Sequence, residues 1–459
     1  MSGILLQASA VVLALPLLGL IALRKPLTTT GVLRSMLAVA VWIRVCLAVF
    51  VPTFQAPDEE AHFNVIRYIA EHHALPVQPA QLDFRIHDYE AYQPPLYYLL
   101  SSLPYALGRA LLGDDVPKLV VLLRLVGIAW WWGTARVTLR LLERAQVTDT
   151  ALRIGVMAVI GFVPTQVYTS AALTNDNAVV FFAVLSLYAA FSARGIRGAV
   201  VMGLSLGALL LSKLNGAGAF IGALTLYALQ LLENERQRAR AAVQLILAGV
   251  IALALLVPWL ARNWAEYGSL LALDRGNPSA HWPLVSGSIK VARSLAGGFW
   301  AVSGVESEIR QLLGVSFLLS CVVGAGFALA ALKRDETVRG LSRSPTRNLT
   351  LACAVSLCFT VASAFSFGLR SGMPHGRLLF GALLPIALVY AVGMRQLGAR
   401  IGATEGTLIL PLAGYTAAFV VITLGAMGAP VLGVVATLGM AAVWLVTGRP
   451  GTADVRTRR

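Results

Sequence analysis

Long apolar stretches recur along the whole chain, separated by shorter polar segments. A helix needs about 20 mostly apolar residues to cross a bilayer, so each stretch predicts a membrane-spanning helix. The two shortest stretches, 198–212 and 217–232, predict tilted or broken spans. We predict 13 spans in all, at residues 4–23, 33–52, 116–136, 151–171, 177–193, 198–212, 217–232, 242–260, 311–332, 349–369, 376–393, 408–425 and 430–447.

The composition supports an all-α, polytopic membrane protein. Hydrophobic residues make up 57% of the chain and charged residues only 13%, which is more apolar sequence than a soluble core needs. We therefore predict a single transmembrane domain over residues 1–447, followed by a basic cytoplasmic tail at 448–459. The first stretch lacks a basic leader and a cleavage site, so it is predicted to be a retained helix.

The distribution of basic residues predicts the orientation of the chain. Lys and Arg favour the cytoplasmic side of short loops, and the loops alternate cleanly if the N-terminus is outside and the C-terminus is cytoplasmic. Arg34 and the segment 136–153 then face the cytoplasm. The alternation requires that 94–112 does not span, as Pro94 and Pro104 suggest. The net charge of +15 is thus a topology signal, and no nucleic acid partner is expected.

Two large segments are predicted outside the cytoplasm, at 52–115 and 261–310. The first is polar in its middle and apolar at its ends, a pattern typical of juxtamembrane helices lying at the membrane interface. Asp58 precedes His62 by four residues and Glu59 precedes it by three, so in a helix these side chains share one face. Such a group suits acid/base chemistry or metal binding, whereas a solvated helix start is the simpler interpretation.

Several charged residues in or beside the predicted spans allow two interpretations each. Asp176 either caps a helix or belongs to a site, and Lys213 either faces a cavity or reaches to the interface. Arg377 stands at the positive end of a helix, where an anion would stabilise it. Arg44 and Arg124 lie in the outer halves of their predicted spans, where structural pairing and function are equally good explanations.

The chain contains no Gly-x-x-x-x-Gly-Lys-Ser/Thr loop, no dinucleotide fingerprint, no His-Glu-x-x-His and no Gly-x-Ser-x-Gly. What the predicted outer face offers is carboxylates on the first loop and cations on later turns. A carboxylate can act as the base that activates a hydroxyl, while Arg and Lys stabilise a departing phosphate. The cations are Lys213, Arg262, Arg370 and Arg377.

An ordered set of motifs between about residues 40 and 390 resembles the GT-C superfamily of integral-membrane glycosyltransferases. The set is similar to a bacterial branch related to protein mannosyltransferases and to the aminoarabinose transferases of lipid A. It comprises Pro57-Asp58-Glu59-x-x-His62-Phe63, Tyr92-Gln93-Pro94-Pro95-Leu96-Tyr97-Tyr98, Asn175-Asp176, Lys213, Pro258-Trp259-x-x-Arg262-Asn263 and Gly376-Arg377.

The resemblance implies a GT-C-like bundle that takes a sugar from a polyprenyl-monophosphate donor and transfers it, with inversion, to an acceptor outside the cytoplasm. Asp58 would be the general base, with its pKa raised by partial desolvation, and Glu59 would orient the acceptor or help bind a divalent cation. Lys213, Arg262 and Arg377 would hold the phosphate. The expected site-lining residues are His62, Tyr92, Gln93, Tyr97, Asp176, Asn263 and His375, and a metal site would use Glu59, His62 and His281.

The implied location is a bacterial inner membrane, with the active site on the extracytoplasmic face. The acceptor, whether an envelope glycan, a lipid or a protein, is left open. A lipid-linked oligosaccharide flippase or another secondary transporter is the main alternative, because transporters also need charged residues in apolar helices. A noncatalytic partner in envelope glycan assembly is the third.

Overall fold

The computed structural model describes residues 29–79, 88–232, 238–275, 282–300 and 344–401, with five further residues between 412 and 424. These residues form thirteen α-helices and three short 3-10 helices, with no strand among them. The α-helices are α1 (Thr29–Phe50), α2 (Glu59–His72), α3 (Leu96–Leu112), α4 (Val116–Arg144), α5 (Thr150–Phe162), α6 (Pro164–Ser170), α7 (Asp176–Ser192), α8 (Gly195–Ser212), α9 (Ala217–Leu232), α10 (Arg238–Tyr267), α11 (Leu284–Trp300), α12 (Ser344–Ser371) and α13 (Leu383–Ile401). The 3-10 helices are Leu214–Gly216, Leu273–Arg275 and Gly376–Ala382.

The described part of the chain confirms a polytopic helical membrane protein. Seven of its helices are long and apolar enough to cross a bilayer, and the bent pair α5–α6 makes an eighth if it is one span. Helix α7 is apolar but shorter. Nine of the 13 predicted spans thus have helical counterparts. The other four, at 4–23, 311–332, 408–425 and 430–447, lie wholly or largely outside the described residues.

The first predicted outer segment contains two helices that do not meet the length and hydropathy required of a span, α2 and α3. Apolar residues on α2 face the bundle, among them Phe63 and Ile66, which are almost fully buried. They pack with Tyr98 and Tyr105 of α3. This arrangement agrees with the prediction of juxtamembrane helices and with a non-spanning 94–112.

The predicted continuous span at 151–171 is instead broken into α5 and α6, which meet at an angle of 57°. The cause is Pro164, which has no backbone N–H to donate and stands at the first position of α6. The residue before it, Val163, takes an extended conformation as the proline ring requires. Arg44 of α1 stabilises the bend by donating hydrogen bonds to Gly161 O of α5 and Ser170 Oγ of α6.

Glycines allow the helices at the centre of the bundle to approach closely. A Cβ atom at Gly203 of α8 would lie 2.7 Å from Ala248 O of α10, and one at Gly222 of α9 would lie 2.8 Å from Ala352 O of α12. Small residues at such interfaces are how membrane helices gain packing energy without a hydrophobic driving force.

Candidate functional site

Asp58 occupies the N-cap position of α2, directly before the first residue of the helix. Its backbone is left-handed, with φ 62°, and its side chain makes no capping hydrogen bond. An aspartate in this conformation is uncommon and strained, because φ > 0 is unfavourable for residues other than glycine. The carboxylate accepts hydrogen bonds from Arg377 Nη2 at 2.7 Å and from the Tyr89 hydroxyl at 3.2 Å.

Asp58 belongs to a network of two carboxylates and two cations. Arg377 Nη1 lies 3.7 Å from Asp176 Oδ2, and Lys213 Nζ donates to Asp176 Oδ1 at 2.8 Å. Asp176 is fully buried, whereas 30% of the Asp58 side chain, 19% of Arg377 and 17% of Lys213 are exposed. One member of the network is therefore buried, and the other three are accessible from one side.

All four members of this four-charge network lie at the ends of helices. Asp58 precedes α2, Asp176 begins α7, Lys213 follows α8, and Arg377 is in the 3-10 helix that leads into α13. Asp176 does not cap its own helix, since its carboxylate is turned towards Lys213 and Arg377. The fold thus brings Asp58, Asp176, Lys213 and Arg377 together from four separate parts of the chain.

The expectation of a raised pKa for Asp58 is wrong. Burial alone raises the pKa, but the charge and hydrogen bond of Arg377 outweigh it, with a smaller contribution from Lys213, and the pKa of Asp58 falls to about 2. Asp58 is therefore ionised at neutral pH and is a weak base as long as Arg377 holds it.

A second group of polar side chains lies beside the network and was not predicted as a unit. His62 Nδ1 is 2.9 Å from the Tyr98 hydroxyl, which is 3.4 Å from Glu90 Oε2. All three side chains are buried. Burial lowers the pKa of His62 to about 3, and burial with the nearby Asp58 charge raises the pKa of Glu90 to about 8. At neutral pH this is a row of uncharged groups in which Glu90 carries a proton.

Both carboxylate oxygens of Glu59 are occupied in a buried ion pair with Arg124. Arg124 Nε and Nη2 donate to its two carboxylate oxygens at 2.8 and 2.6 Å, and the backbone N–H groups of Phe54 and Leu173 donate to it as well. Arg124 further bonds Ala48 O at 3.0 Å. This pair ties α2 to α1 and α4, which differs from the expected role in orienting an acceptor or binding a metal.

The residues around the Pro94-Pro95 corner position the first outer segment against α7. Gln93 Oε1 accepts a hydrogen bond of 2.8 Å from Asn175 Nδ2, beside Asp176. Tyr97 is buried with its ring 6.3 Å from that of His62, and Tyr92 is half-buried in the turn before the prolines. These contacts place Gln93 beside Asp176 and Tyr97 beside His62.

Arg262, Arg370 and Asn263 make no recorded contact with the four-charge network. Arg262 bonds Pro76 O and, at 3.3 Å, the Tyr267 hydroxyl, so it ties the end of α10 to the segment after α2. Asn263 is buried and donates to Leu270 O. Arg370 is exposed and bonds Ser366 of its own helix. Their spacing in the sequence could not show which neighbours they contact.

A narrow cavity of about 40 Å³ adjoins the network on the side of Arg377. This is room for a few water molecules and far less than a sugar needs. His375 lines it, and burial together with the Arg377 charge lowers the pKa of His375. Its walls are formed by Pro57, Thr165, Tyr168, Thr169, Ala172, Thr174, Ser294, Gly298, His375, Gly376 and Arg377.

Within the described residues, no group of three or more His, Cys, Asp or Glu side chains is placed to hold a metal ion. Of the expected ligands, Glu59 is occupied by Arg124, and His62 bonds Tyr98. His281 lies outside the described residues. The residues that are described do not fit the expected metal site.

Sequence reasoning missed the roles of Glu90, Tyr89 and Tyr98. For Glu90 and Tyr89 the sequence signal is the polar run Asp88-Tyr89-Glu90 shortly before the Pro94 corner, and Tyr98 belongs to the motif that follows it. Nothing in the spacing shows that Glu90 is buried.

No family model and no curated protein sequence matches this chain. The solved structures that do match include two of ArnT from Cupriavidus metallidurans, in the apo state and bound to undecaprenyl phosphate. They are 13% and 15% identical, and each match covers 90% of this chain and 73% of ArnT with a TM-score of 0.49. A similarity of this size assigns no residue and no substrate to this chain.

Proposed function

We propose that this protein is an integral-membrane glycosyltransferase that transfers a sugar from a polyprenyl-monophosphate donor to an extracytoplasmic acceptor. The observation that carries the proposal is the network of Asp58, Arg377, Asp176 and Lys213, assembled from helix ends at one edge of the bundle. It combines a partly exposed carboxylate, which can activate the acceptor hydroxyl, with two cations, which can stabilise the departing phosphate.

Arg377 and Lys213 are the proposed phosphate-binding residues. Both are partly exposed, and both are neutralised in the resting structure by Asp58 and Asp176. A donor phosphate brings its own negative charge and competes for the guanidinium, which can bind phosphate with two parallel hydrogen bonds. Lys213 adds a second positive charge while it stays anchored to buried Asp176. Of the four cations expected from the sequence, these two have the geometry for the role.

Asp58 is the proposed base, and phosphate binding is the proposed means of activating it. When the phosphate engages Arg377, the contribution that holds the pKa of Asp58 near 2 weakens, and burial then favours proton uptake. The Asp58 carboxylate removes the proton from the acceptor hydroxyl. The acceptor oxygen forms a bond to the anomeric carbon of the sugar, while the carbon–oxygen bond to phosphate breaks and its electron pair leaves with the phosphate. Attack opposite the leaving group gives inversion.

Glu59, Arg262 and Arg370 have different proposed roles from those expected. Glu59 is proposed to position Asp58, its neighbour, by fixing the start of α2 through Arg124. Arg262 is proposed to hold the segment after α2 in place. Arg370, which is exposed and bonded within its own helix, has no structural support as a phosphate ligand. The gathering of the four charged groups at helix ends supports a transferase over a transporter, whose site is expected near the middle of the membrane.

The test is transfer or hydrolysis of a panel of polyprenyl-phosphate sugars by the purified protein in lipid nanodiscs. We expect turnover with at least one donor, and loss of turnover in Asp58→Asn with donor binding retained. Arg377→Gln should weaken donor binding as well as turnover. Glu71→Gln, which changes an exposed carboxylate at the far end of α2, is the matched control and should behave as wild type. Turnover in Asp58→Asn equal to that of wild type would exclude the carboxylate as base, and failure of the whole panel to bind would overturn the proposed donor class.

A further inference from the structure

A second cleft lies at the other end of the bundle from the four-charge network. It has a volume of about 780 Å³ and is formed by α1, α4 and the start of α5. Arg34 near the beginning of α1 lines it, and 16 residues of that helix, about 24 Å, separate it from the end of α1 near the network. The cleft is thus distinct from the proposed active site and faces the predicted cytoplasmic side.

Three arginines from three helices converge on this cleft. Arg34 of α1 and Arg136 of α4 are exposed, and Arg153 of α5 is half-buried and paired with Glu143 at 3.1 Å. Glu143 neutralises one of the three charges, so two positive charges have no carboxylate among the lining residues. The guanidinium of Arg136 lies 5.9 Å from the centre of the Trp132 ring, at the place where an aromatic residue is typical of the membrane interface.

On α1, the lining residues inward of Arg34 are apolar. On α1, Leu37 and Val41 stand three and seven residues after Arg34, on the same helix face. Leu139 contributes from α4. A charged opening that continues into an apolar strip matches a lipid with a headgroup and an acyl chain, and it does not match a soluble anion.

We propose that this cleft binds an anionic glycerophospholipid, with its phosphate between Arg34, Arg136 and Arg153 and one acyl chain along Leu37 and Val41. Basic pockets between membrane helices on the cytoplasmic side bind acidic lipid headgroups. The positive charge of the cleft argues against the segment of this chain before α1 as the occupant, because that segment carries the basic residues Arg24 and Lys25. The inference does not depend on the proposed glycosyl transfer.

The experiment measures lipid retained by the purified full-length protein in native mass spectrometry, after exchange into vesicles of phosphatidylcholine with phosphatidylglycerol. We expect preferential retention of phosphatidylglycerol by wild type. Arg34→Gln/Arg136→Gln should weaken that retention about thirtyfold, since each basic residue near acidic lipid contributes roughly a factor of five. Arg34→Lys/Arg136→Lys should retain most of it.

The matched control is Arg140→Gln/Arg144→Gln. Like the test variant, it removes two positive charges at this end of the bundle. Both control positions are exposed on α4 and lie outside the cleft, so retention should be unchanged. A second variant, Ala38→Phe, fills the cleft without changing charge and should also reduce retention. Equal losses in the two double-Gln variants, retention unaffected by Ala38→Phe, or no preference for phosphatidylglycerol would each overturn the proposal.

Discussion

Glu90→Gln is the change that most directly tests the electrostatics of the candidate site. Glu90 is buried, and the charge of Asp58 adds to the effect of burial, so its pKa rises from 4.5 to about 8. The Lys213 and Arg377 charges oppose this rise and Asp176 adds to it. A glutamine has nearly the same shape as protonated glutamate and can still accept a hydrogen bond from Tyr98.

The raised pKa makes the folded protein hold a proton that the unfolded chain releases. Between pH 4.5 and 8 the folded state binds more protons than the unfolded state. The contribution of Glu90 to the free energy of unfolding therefore falls as the pH rises. From the shift of the pKa, the loss amounts to roughly 3 to 4 kcal/mol between pH 5 and pH 8. Glu90→Gln removes this loss. The free energy of unfolding of the variant, relative to that of wild type, should therefore rise by about this amount from pH 5 to pH 8.

The assay is unfolding in mixed detergent micelles, followed by tryptophan fluorescence, at several pH values from 5 to 8. His62 also titrates on unfolding, but it does so in both proteins, and its contribution cancels in the difference. Glu71→Gln, which changes an exposed carboxylate of α2, is measured in the same way as the control for loss of a carboxylate. A difference between Glu90→Gln and wild type that stays constant within about 1 kcal/mol would refute the assignment of a neutral Glu90.

Three further changes follow from the described contacts. Glu59→Gln leaves Arg124 as an unpaired buried charge and should cost about 3 to 5 kcal/mol of unfolding free energy in the same assay, with Glu59→Gln/Arg124→Gln losing less than the sum of the two single changes. Arg377→Gln should raise the pKa of Asp58 from about 2, which isotope-edited infrared spectroscopy of the aspartate carboxyls would detect as protonation at higher pH. Gly222→Val overpacks the contact between α9 and α12 and should cost about 1 to 3 kcal/mol or lower the folded yield, measured as the thermal midpoint.

Hydropathy and charge predicted the fold well because a bilayer leaves few alternatives. Every predicted span within the described residues is helical, and the non-spanning 94–112 follows from its prolines. The break at Val163 was missed although Pro164 was visible in the sequence. The apolar run around that proline continues without a polar interruption, so hydropathy alone could not mark the bend.

The site could be predicted only as far as charge in an apolar context reveals it. Asp58, Asp176, Lys213 and Arg377 stand out because ionised groups beside membrane helices need partners. Arg262 also stands out by that criterion, yet its partner is a backbone carbonyl of the segment after α2. The sequence shows that a charge needs compensation but does not show which group provides it.

The resting pairing of the four-charge network has a consequence for any anionic substrate. Two carboxylates already neutralise the two cations in the resting structure. In the proposed mechanism, an anionic donor would therefore have to exchange partners with Asp58, the most exposed member of the network. Asp176 stays as the buried counter-charge that keeps Lys213 in place. If the proposed mechanism is correct, a donor phosphate that binds Arg377 draws it away from Asp58, so donor binding would also free the carboxylate to act as the base.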